Sequence, residues 1–415
     1  MTTLSPPQLR IDPGRLMGRI SELARIGGLP SGAVKRLAFS DEDVAARAVV
    51  RDWMEQAGLT VRIDAAGNLI GRREGNRAAA GALVTGSHID TVPTGGRFDG
   101  ALGVIAGIEV AQCLQEADLQ LDHPLEVIAF ADEENTMIGC KSIVGTAASD
   151  PERFRTNVNL PIRTCLERIG GDWDRLPSAR RGPADLACYL ELHVEQGGVL
   201  EAVNRQIGVV EGVVGQQRYT LTVHGQANHA GTTPMGMRHD ALTTAAQLIL
   251  AVEDMARHFP GDPVATIGKL SVWPNAANIV PGRVDMSLDM RDLSHAVIDH
   301  MRAHLERKIE NIAVTSRNRI EMEPQFVVDP TPADGTIQDV IVDCCDGLGL
   351  SHTHLPSRAS HDAQEIGRLT AMGMIFVPSR DGVSHSGEEY TSDEQCAQGT
   401  EVLLRSLIAL DQKLA

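Results

Sequence analysis

Gly81-Ala82-Leu83-Val84-Thr85-Gly86-Ser87-His88-Ile89-Asp90-Thr91-Val92 decides how this chain folds: an apolar run that stops at an imidazole and an acid. A short continuous run of this kind is the signature of a strand buried on both faces, as parallel sheets require. In open α/β sheets ligands bind beyond the carboxyl ends of such strands, where His88 and Asp90 stand. The pattern returns in the run from Leu125 to Ala131, which leads into Asp132-Glu133-Glu134-Asn135. Between the two, Phe98-Asp99-Gly100 opens a segment in which Leu102, Ile105, Ile108, Val110, Ala111 and Leu114 keep a helical period to about Glu116. Asp99 therefore falls at or just before a helix N-terminus. Strand, ligand, helix, strand, ligand predicts a doubly wound α/β domain.

Outward from that segment the texture changes twice. Upstream, Ser40-Asp41-Glu42-Asp43 reads as an N-cap with acids in the first turn of a helix that Gly58 ends, followed by short strands near Val61 to Asp64 and Leu69 to Gly71. Between about Gly212 and Val327 the order becomes β-α-β-β-α-β. Its strands are expected from Arg218 to His224, Val264 to Trp273, Asn278 to Arg291 and Arg319 to Val327, with helices from about Asp240 to His258 and Ala296 to Ile312. That is a ferredoxin-like arrangement, and it predicts an inserted domain. The division expected is residues 1–211 and 328–415 for the catalytic domain and 212–327 for the insertion. Asp329-Pro330-Thr331-Pro332 reads as a rigid return linker, and a last helix is expected from about Ser392 to Asp411.

At 415 residues, 42% hydrophobic and 22% charged, the chain is long enough for two domains. A net charge of -17 without a Lys/Arg cluster excludes a nucleic-acid footprint. No apolar run approaches the roughly 18 residues of a membrane span, and the first residues show no secretory pattern. Seven cysteines, an odd number without a Cys-x-x-Cys pair, do not make a disulfide framework, and Cys344-Cys345 reads as packing. A cytoplasmic setting is expected.

Two further pieces carry chemistry: His193 in Glu191-Leu192-His193-Val194-Glu195-Gln196-Gly197 and His385 in Gly382-Val383-Ser384-His385-Ser386-Gly387. A dinuclear hydrolytic site needs a bridging carboxylate, ligands that leave each ion an open position, and a base. Asp99, between a Gly-Gly turn and Gly100, is the expected bridge. His88 and His193 would hold one ion with it, and Glu134 and His385 the other. Asp90 would accept a hydrogen bond from a ligand imidazole. Glu133, pointing away from Glu134, would be the general base. Mixed imidazole and carboxylate ligands suit Zn, Mn, Co or Ni better than Mg or Ca.

The ordered motifs Gly86-Ser87-His88-Ile89-Asp90-Thr91-Val92, Phe98-Asp99-Gly100, Glu133-Glu134-Asn135, His193-Val194-Glu195-Gln196-Gly197, Gln226-Ala227-Asn228-His229-Ala230-Gly231-Thr232-Thr233-Pro234-Met235 and Ser384-His385-Ser386 resemble the amidase, hydantoinase and carbamoylase family. That family includes N-carbamoyl-L-amino-acid hydrolases, β-ureidopropionases and allantoate amidohydrolases, and is related to aminoacylase and carboxypeptidase metallohydrolases. The resemblance covers nearly the whole chain from about Arg15. It implies two divalent ions per subunit and a homodimer whose inserted domain serves as lid and dimerisation surface. It also implies that His229 reaches from the partner subunit to the tetrahedral oxyanion, and that Arg291 grips the substrate carboxylate with Asn278 and Gln196 as neutral partners. His193 stands where the peptidase relatives typically have aspartate, which favours a carbamoyl or ureido substrate over a peptide.

The activity implied is hydrolysis of a linear C–N bond in an N-carbamoyl-L-amino acid by a metal-bridged hydroxide. Allantoate or another ureido acid, ureidopropionate included, is the nearest rival, and a catalytically silent dimeric binding protein of the same fold is the rival of another class. Where the family often has Ser-Gly-Ala-Gly-His-Asp-Ala, this chain has Ser357-Arg358-Ala359-Ser360-His361-Asp362-Ala363, a bulkier and more cationic stretch, and Thr136-Met137-Ile138-Gly139-Cys140 also departs from the expected form. Plainer roles stand beside these. Asp90 could cap a turn, His229 could steady its own loop, Arg291 could pair with Asp289 or Asp292, and His361 and Asp362 could cap a helix as easily as line a pocket.

Overall fold

The computed structural model of the chain describes residues 9–77 and 79–414, which form two compact units. One runs to Val213 and resumes at Pro332; the other spans Val214–Thr331. These boundaries lie two and four residues beyond the expected 211 and 327, because strand structure continues past both points.

The larger unit is built on a mixed sheet, nine-stranded among the described residues. Its centre is parallel: Leu125–Phe130, Ala82–His88, Leu186–Val194 and Met372–Val377 lie side by side in that order. Every residue of Ala82–His88, Leu125–Phe130 and Met372–Val377 is buried. Alternate residues serve different cores. Leu83, Val127 and Leu192 pack with the helices on one face, whereas Val84, Ile128 and Tyr189 pack on the other. The helix after Asp99 spans Ala101–Glu116 and is buried along most of its length, covered in turn by the helices Pro13–Leu23 and Asp393–Lys413. Ser40 caps Asp41–Gln56 by accepting the Asp43 N–H, a contact of about 1 kcal/mol. The strands Ile207–Val213 and His352–Ser357 extend the sheet and pair in parallel.

The expected return linker is only half a linker. Thr331–Pro332 forms a short strand at the end of the large sheet, where an edge position tolerates proline's missing N–H.

The smaller unit has four antiparallel strands in the spatial order Arg319–Val328, Gly215–His224, Arg283–Asp292, Val264–Trp273. Counted along the chain this is 4-1-3-2, the ferredoxin-like order. The helices Ala241–His258 and His295–Ser316 close its core around Leu221, Leu248, Leu288 and Leu305. The strand expected from Asn278 to Arg291 is interrupted at Pro281-Gly282. Its first part, Ile279–Val280, pairs separately with Asn228–His229. Among the described residues no helix is long and apolar enough to cross a membrane, and all seven cysteines are free.

Candidate metal centre

The parallel strands deliver their last residues to one place. His88 is the final residue of its strand, His193 the penultimate residue of Leu186–Val194, and Glu133 and Glu134 follow Leu125–Phe130 by three and four residues. Asp99 lies between these segments. His193 Nε2 is 3.2 Å from Asp99 Oδ1 and His88 Nε2 is 3.8 Å from the same oxygen. The other oxygen, Oδ2, faces His385 Nε2 at 3.3 Å, and His385 Nε2 is 3.5 Å from Glu134 Oε1. Two donor sets capable of holding an ion, His88–Asp99–His193 and Asp99–Glu134–His385, therefore share one carboxylate. A third set, Glu191–His193–His361, overlaps the first through His193.

Main-chain carbonyls orient two of the imidazoles. His88 Nδ1 contacts the Asp90 carbonyl at 2.9 Å and His193 Nδ1 the Val194 carbonyl at 2.8 Å. A proton engaged at Nδ1 leaves Nε2 as the ligating nitrogen, and both Nε2 atoms point at Asp99. The Asp90 carboxylate does not hold the imidazole as expected, since it lies 3.8 Å from His88 Nδ1. The chain bends after His88 so that the Asp90 carbonyl takes that role, and the side chain accepts the N–H groups of Glu133 and Glu134 at 3.4 and 3.2 Å.

Gly100 makes the crowding possible. It adopts φ 64°, and a Cβ there would sit 2.4 Å from the His88 ring. Asp132, Gln196 and His385 also lie in the left-handed region, at φ 57°, 58° and 53°. Strained non-glycine residues cluster where the surroundings over-determine them, commonly at functional sites.

Electrostatics report a centre built around positive charge. Burial and the neighbouring acids Asp362 and Glu134 push Glu133 well above the ordinary carboxylate range. Burial, with Asp99 opposing ionisation, raises Glu134 to about 7. The Asp99 hydrogen bond raises His385 to about 9; for His193 burial works the other way but is outweighed by Asp99, and the result is again about 9. Asp99 itself stays well below its usual value, because the imidazoles overcome its burial. Such a set of mutually repelling acids and proton-loaded imidazoles fits divalent cations, which would replace the protons.

Gln196 belongs to this centre rather than to its rim. Its Nε2 donates to Asp99 Oδ2 at 2.9 Å and lies 3.5 Å from His385 Nε2. In the smaller unit, His229 and Asn278 are exposed neighbours: the Ala230 N–H donates to the Asn278 carbonyl at 2.9 Å. His229 Nδ1 accepts from the N–H groups of Gly231 and Thr232 at 3.1 and 3.2 Å, which leaves the proton on Nε2 as an outward donor. Arg291 pairs with Asp289 at 2.9 Å, one of the plainer roles anticipated for it.

Sequence reading misses the roles of Glu191 and Glu389, and for His361 it leaves a helix cap and a pocket wall both open. Glu191, wholly buried, accepts from Ser87 Oγ, Tyr189 Oη and the Ala363 N–H, and His361 packs its ring 4.5 Å from that of His193. Glu389 accepts from the N–H groups of Phe98 and Asp99. Acid and histidine flanking known motifs were the available signal for Glu191 and His361; Glu389 gave none until the fold brought it to Asp99.

Residues 84–409 match the model of peptidase family M20/M25/M40. The N-carbamoyl-L-amino acid amidohydrolase of Geobacillus stearothermophilus is 40% identical over 403 residues, covering 96% of this chain and 98% of that one. The allantoate amidohydrolase of Bacillus subtilis is 35% identical over 402 residues, with 95% and 96% covered. The crystal structure of an amidase of the hydantoinase/carbamoylase family from Burkholderia multivorans superposes with a TM-score of 0.89 at 34% identity, covering 97% of this chain and 99% of that one.

Proposed function

Since this chain belongs to the M20/M25/M40 peptidase family, among its hydantoinase/carbamoylase amidases, we propose that it is a two-metal amidohydrolase of N-carbamoyl-L-amino acids, releasing ammonia, carbon dioxide and the amino acid. The observation that carries this reading is Asp99, whose two oxygens face two different donor sets.

His88, His193 and Asp99 would hold one ion, and Asp99, Glu134 and His385 the other, with Zn, Mn, Co or Ni suited to these donors. When bound, the ions supply Lewis acidity toward the scissile carbonyl and make water acidic enough to react near neutral pH. Glu133 takes the proton of the attacking water and delivers it to the leaving nitrogen. Its Oε2 stands 3.6 Å from His88 Nε2, beside the ligands without replacing one. Asp90 fixes the main chain of Glu133 and Glu134 through their N–H groups. Gln196 steadies Asp99, and it or Asn278 offers an amide to the substrate.

His229 donates Nε2–H to the developing oxyanion. Arg291 binds the substrate carboxylate, exchanging part of its contact with Asp289 for the ligand. Register supports contributions from two subunits. His229 and Asn278 lie beyond the Arg283 end of the Arg283–Asp292 strand, while Arg291 is near its other end. Eight residues of strand are about 26 Å, more than a small ureido acid spans. That separation favours different chains for His229 and Arg291 at one substrate, the arrangement of a homodimer with His229 acting in trans. Seven free thiols suit a reducing cytoplasm.

Allantoate is the second reading, favoured by the full-length similarity to an allantoate amidohydrolase. The test is ammonia release from a panel of N-carbamoyl-L-amino acids, allantoate and ureidopropionate after loading with each metal. Turnover of N-carbamoyl-L-amino acids above the others is expected. Inactivity toward the whole panel with two ions bound would reject the reading.

A further inference from the structure

Glu389 is buried, 5% exposed, and sits four residues after His385. Its Oε1 accepts the N–H groups of Phe98 and Asp99 at 2.9 and 3.1 Å. Its Oε2 accepts from Ser384 Oγ at 3.3 Å, and the same hydroxyl lies 3.3 Å from Asp99 Oδ2. The Glu389 N–H donates to the Ser386 carbonyl at 3.1 Å, closing the turn that directly follows His385. One carboxylate thus grips the main chain on which Asp99 is mounted and also the loop on which His385 is mounted.

The chain makes room for this contact at Gly96. A Cβ on Gly96 would lie 2.1 Å from Glu389 Cδ and Oε1, so no other residue fits there while the carboxylate keeps its place. The same device appears at Asp90, which accepts the N–H groups of the successive residues Glu133 and Glu134. In both places an acid from a separate segment fixes the backbone of the acids in the centre. Burying a carboxylate beside Asp99 is costly unless it is fully hydrogen-bonded, and these contacts are what offset that cost.

We propose that Glu389 is a positioning residue that sets the separation of Asp99 from His385 and thereby the ligand geometry of the Asp99–Glu134–His385 ion. The inference rests on the two-metal reading above. It assigns Glu389 no contact with substrate or metal; it acts through Asp99 and the His385 loop.

The test is zinc or manganese titration of the full-length protein, read as ions bound per chain and affinity of each, alongside thermal unfolding and steady-state kinetics. Wild type should take two ions. Glu389→Ala should keep one near its wild-type affinity and bind the other roughly 10- to 100-fold more weakly, with kcat falling more than KM changes. Glu389→Gln should restore the second ion to within a few-fold, because one amide oxygen can accept both main-chain N–H groups. Gly96→Ala should imitate Glu389→Ala while leaving the carboxylate chemically intact; because the added methyl group would also lie 2.6 Å from the Cβ of Glu389, which alanine retains, it should stay damaging when added to Glu389→Ala. If Glu389→Ala does not fold, Gly96→Ala and Glu389→Gln still decide the matter. Two ions bound with wild-type affinities in Glu389→Ala or Gly96→Ala would overturn the inference. So would a Glu389→Gln variant as impaired as Glu389→Ala, since charge and not acceptor geometry would then be the requirement. Fewer than two ions in the wild type would instead strike the two-metal reading itself.

Discussion

The two donor sets that share Asp99 are built differently. His88 and His193 are 3% and 1% exposed, stand within strands, and have their rings fixed by carbonyls one or two residues away. His385 is 49% exposed, lies in a loop at φ 53°, and is tied to Asp99 through the contacts of Ser384 and Glu389. The first set inherits its rigidity from the sheet, whereas the second depends on side chains gripping loops. Rigid placement and adjustable placement meet at a single carboxylate, and the two sides should therefore differ in how they lose metal and how they respond to mutation.

The strongest way to break the comparison is Glu133→Gln. If proton transfer is separate from both donor sets, kcat should fall by about 10²- to 10⁴-fold with both ions retained, as read by ammonia release and metal analysis. Near-normal turnover, or an ion lost, would show that the separation is false. His229→Ala should cost about 10²- to 10³-fold and leave metal content untouched. Mixing it with Glu133→Gln subunits should restore partial activity, because one site of a mixed dimer has both groups; no recovery after proven subunit exchange would put His229 in its own chain's site or in none.

Limited chelator should remove the ion of the half-exposed set first, giving a species with one ion per chain before the metal-free protein. Simultaneous loss of both would mean the two sides are equally held. The smallest effect concerns protons. Without metal, His193 and His385 hold protons up to about pH 9 and Glu134 up to about 7, so these groups must lose protons when ions bind. Metal affinity should rise as pH increases from 6 toward 9, and titration calorimetry in buffers of different ionisation heat should report proton release. An affinity independent of pH across this window would sink the assignment of these residues as ligands.

Much of this architecture is legible in the sequence because apolar runs end where ligands begin. Residues such as His88 and Glu134 announce themselves through their position after Leu83-Val84 and Val127-Ile128, and the insertion through its change of period. What is not legible depends on contacts distant in sequence. Glu389 reaches residues nearly three hundred positions away. Asp90 was expected to hold the imidazole with its side chain, yet backbone curvature gives that contact to its carbonyl. The contact of Gln196 Nε2 with Asp99 is likewise absent from its local motif and comes from the fold. Asp329-Pro330-Thr331-Pro332 reads as a linker by its prolines, yet its second half, Thr331–Pro332, pairs as a short strand at the end of the large sheet.

The place where the larger unit is interrupted has a consequence for how the molecule could be rebuilt. Glu211, before the interruption, accepts a hydrogen bond from Ala333, after it, at 3.0 Å. The two cut ends are already one rung apart, so a turn of a few residues could replace everything between them at little entropic cost. Such a shortened protein should form its own hydrophobic interior and take up ions while turning over nothing, turning the interruption into a socket for foreign modules.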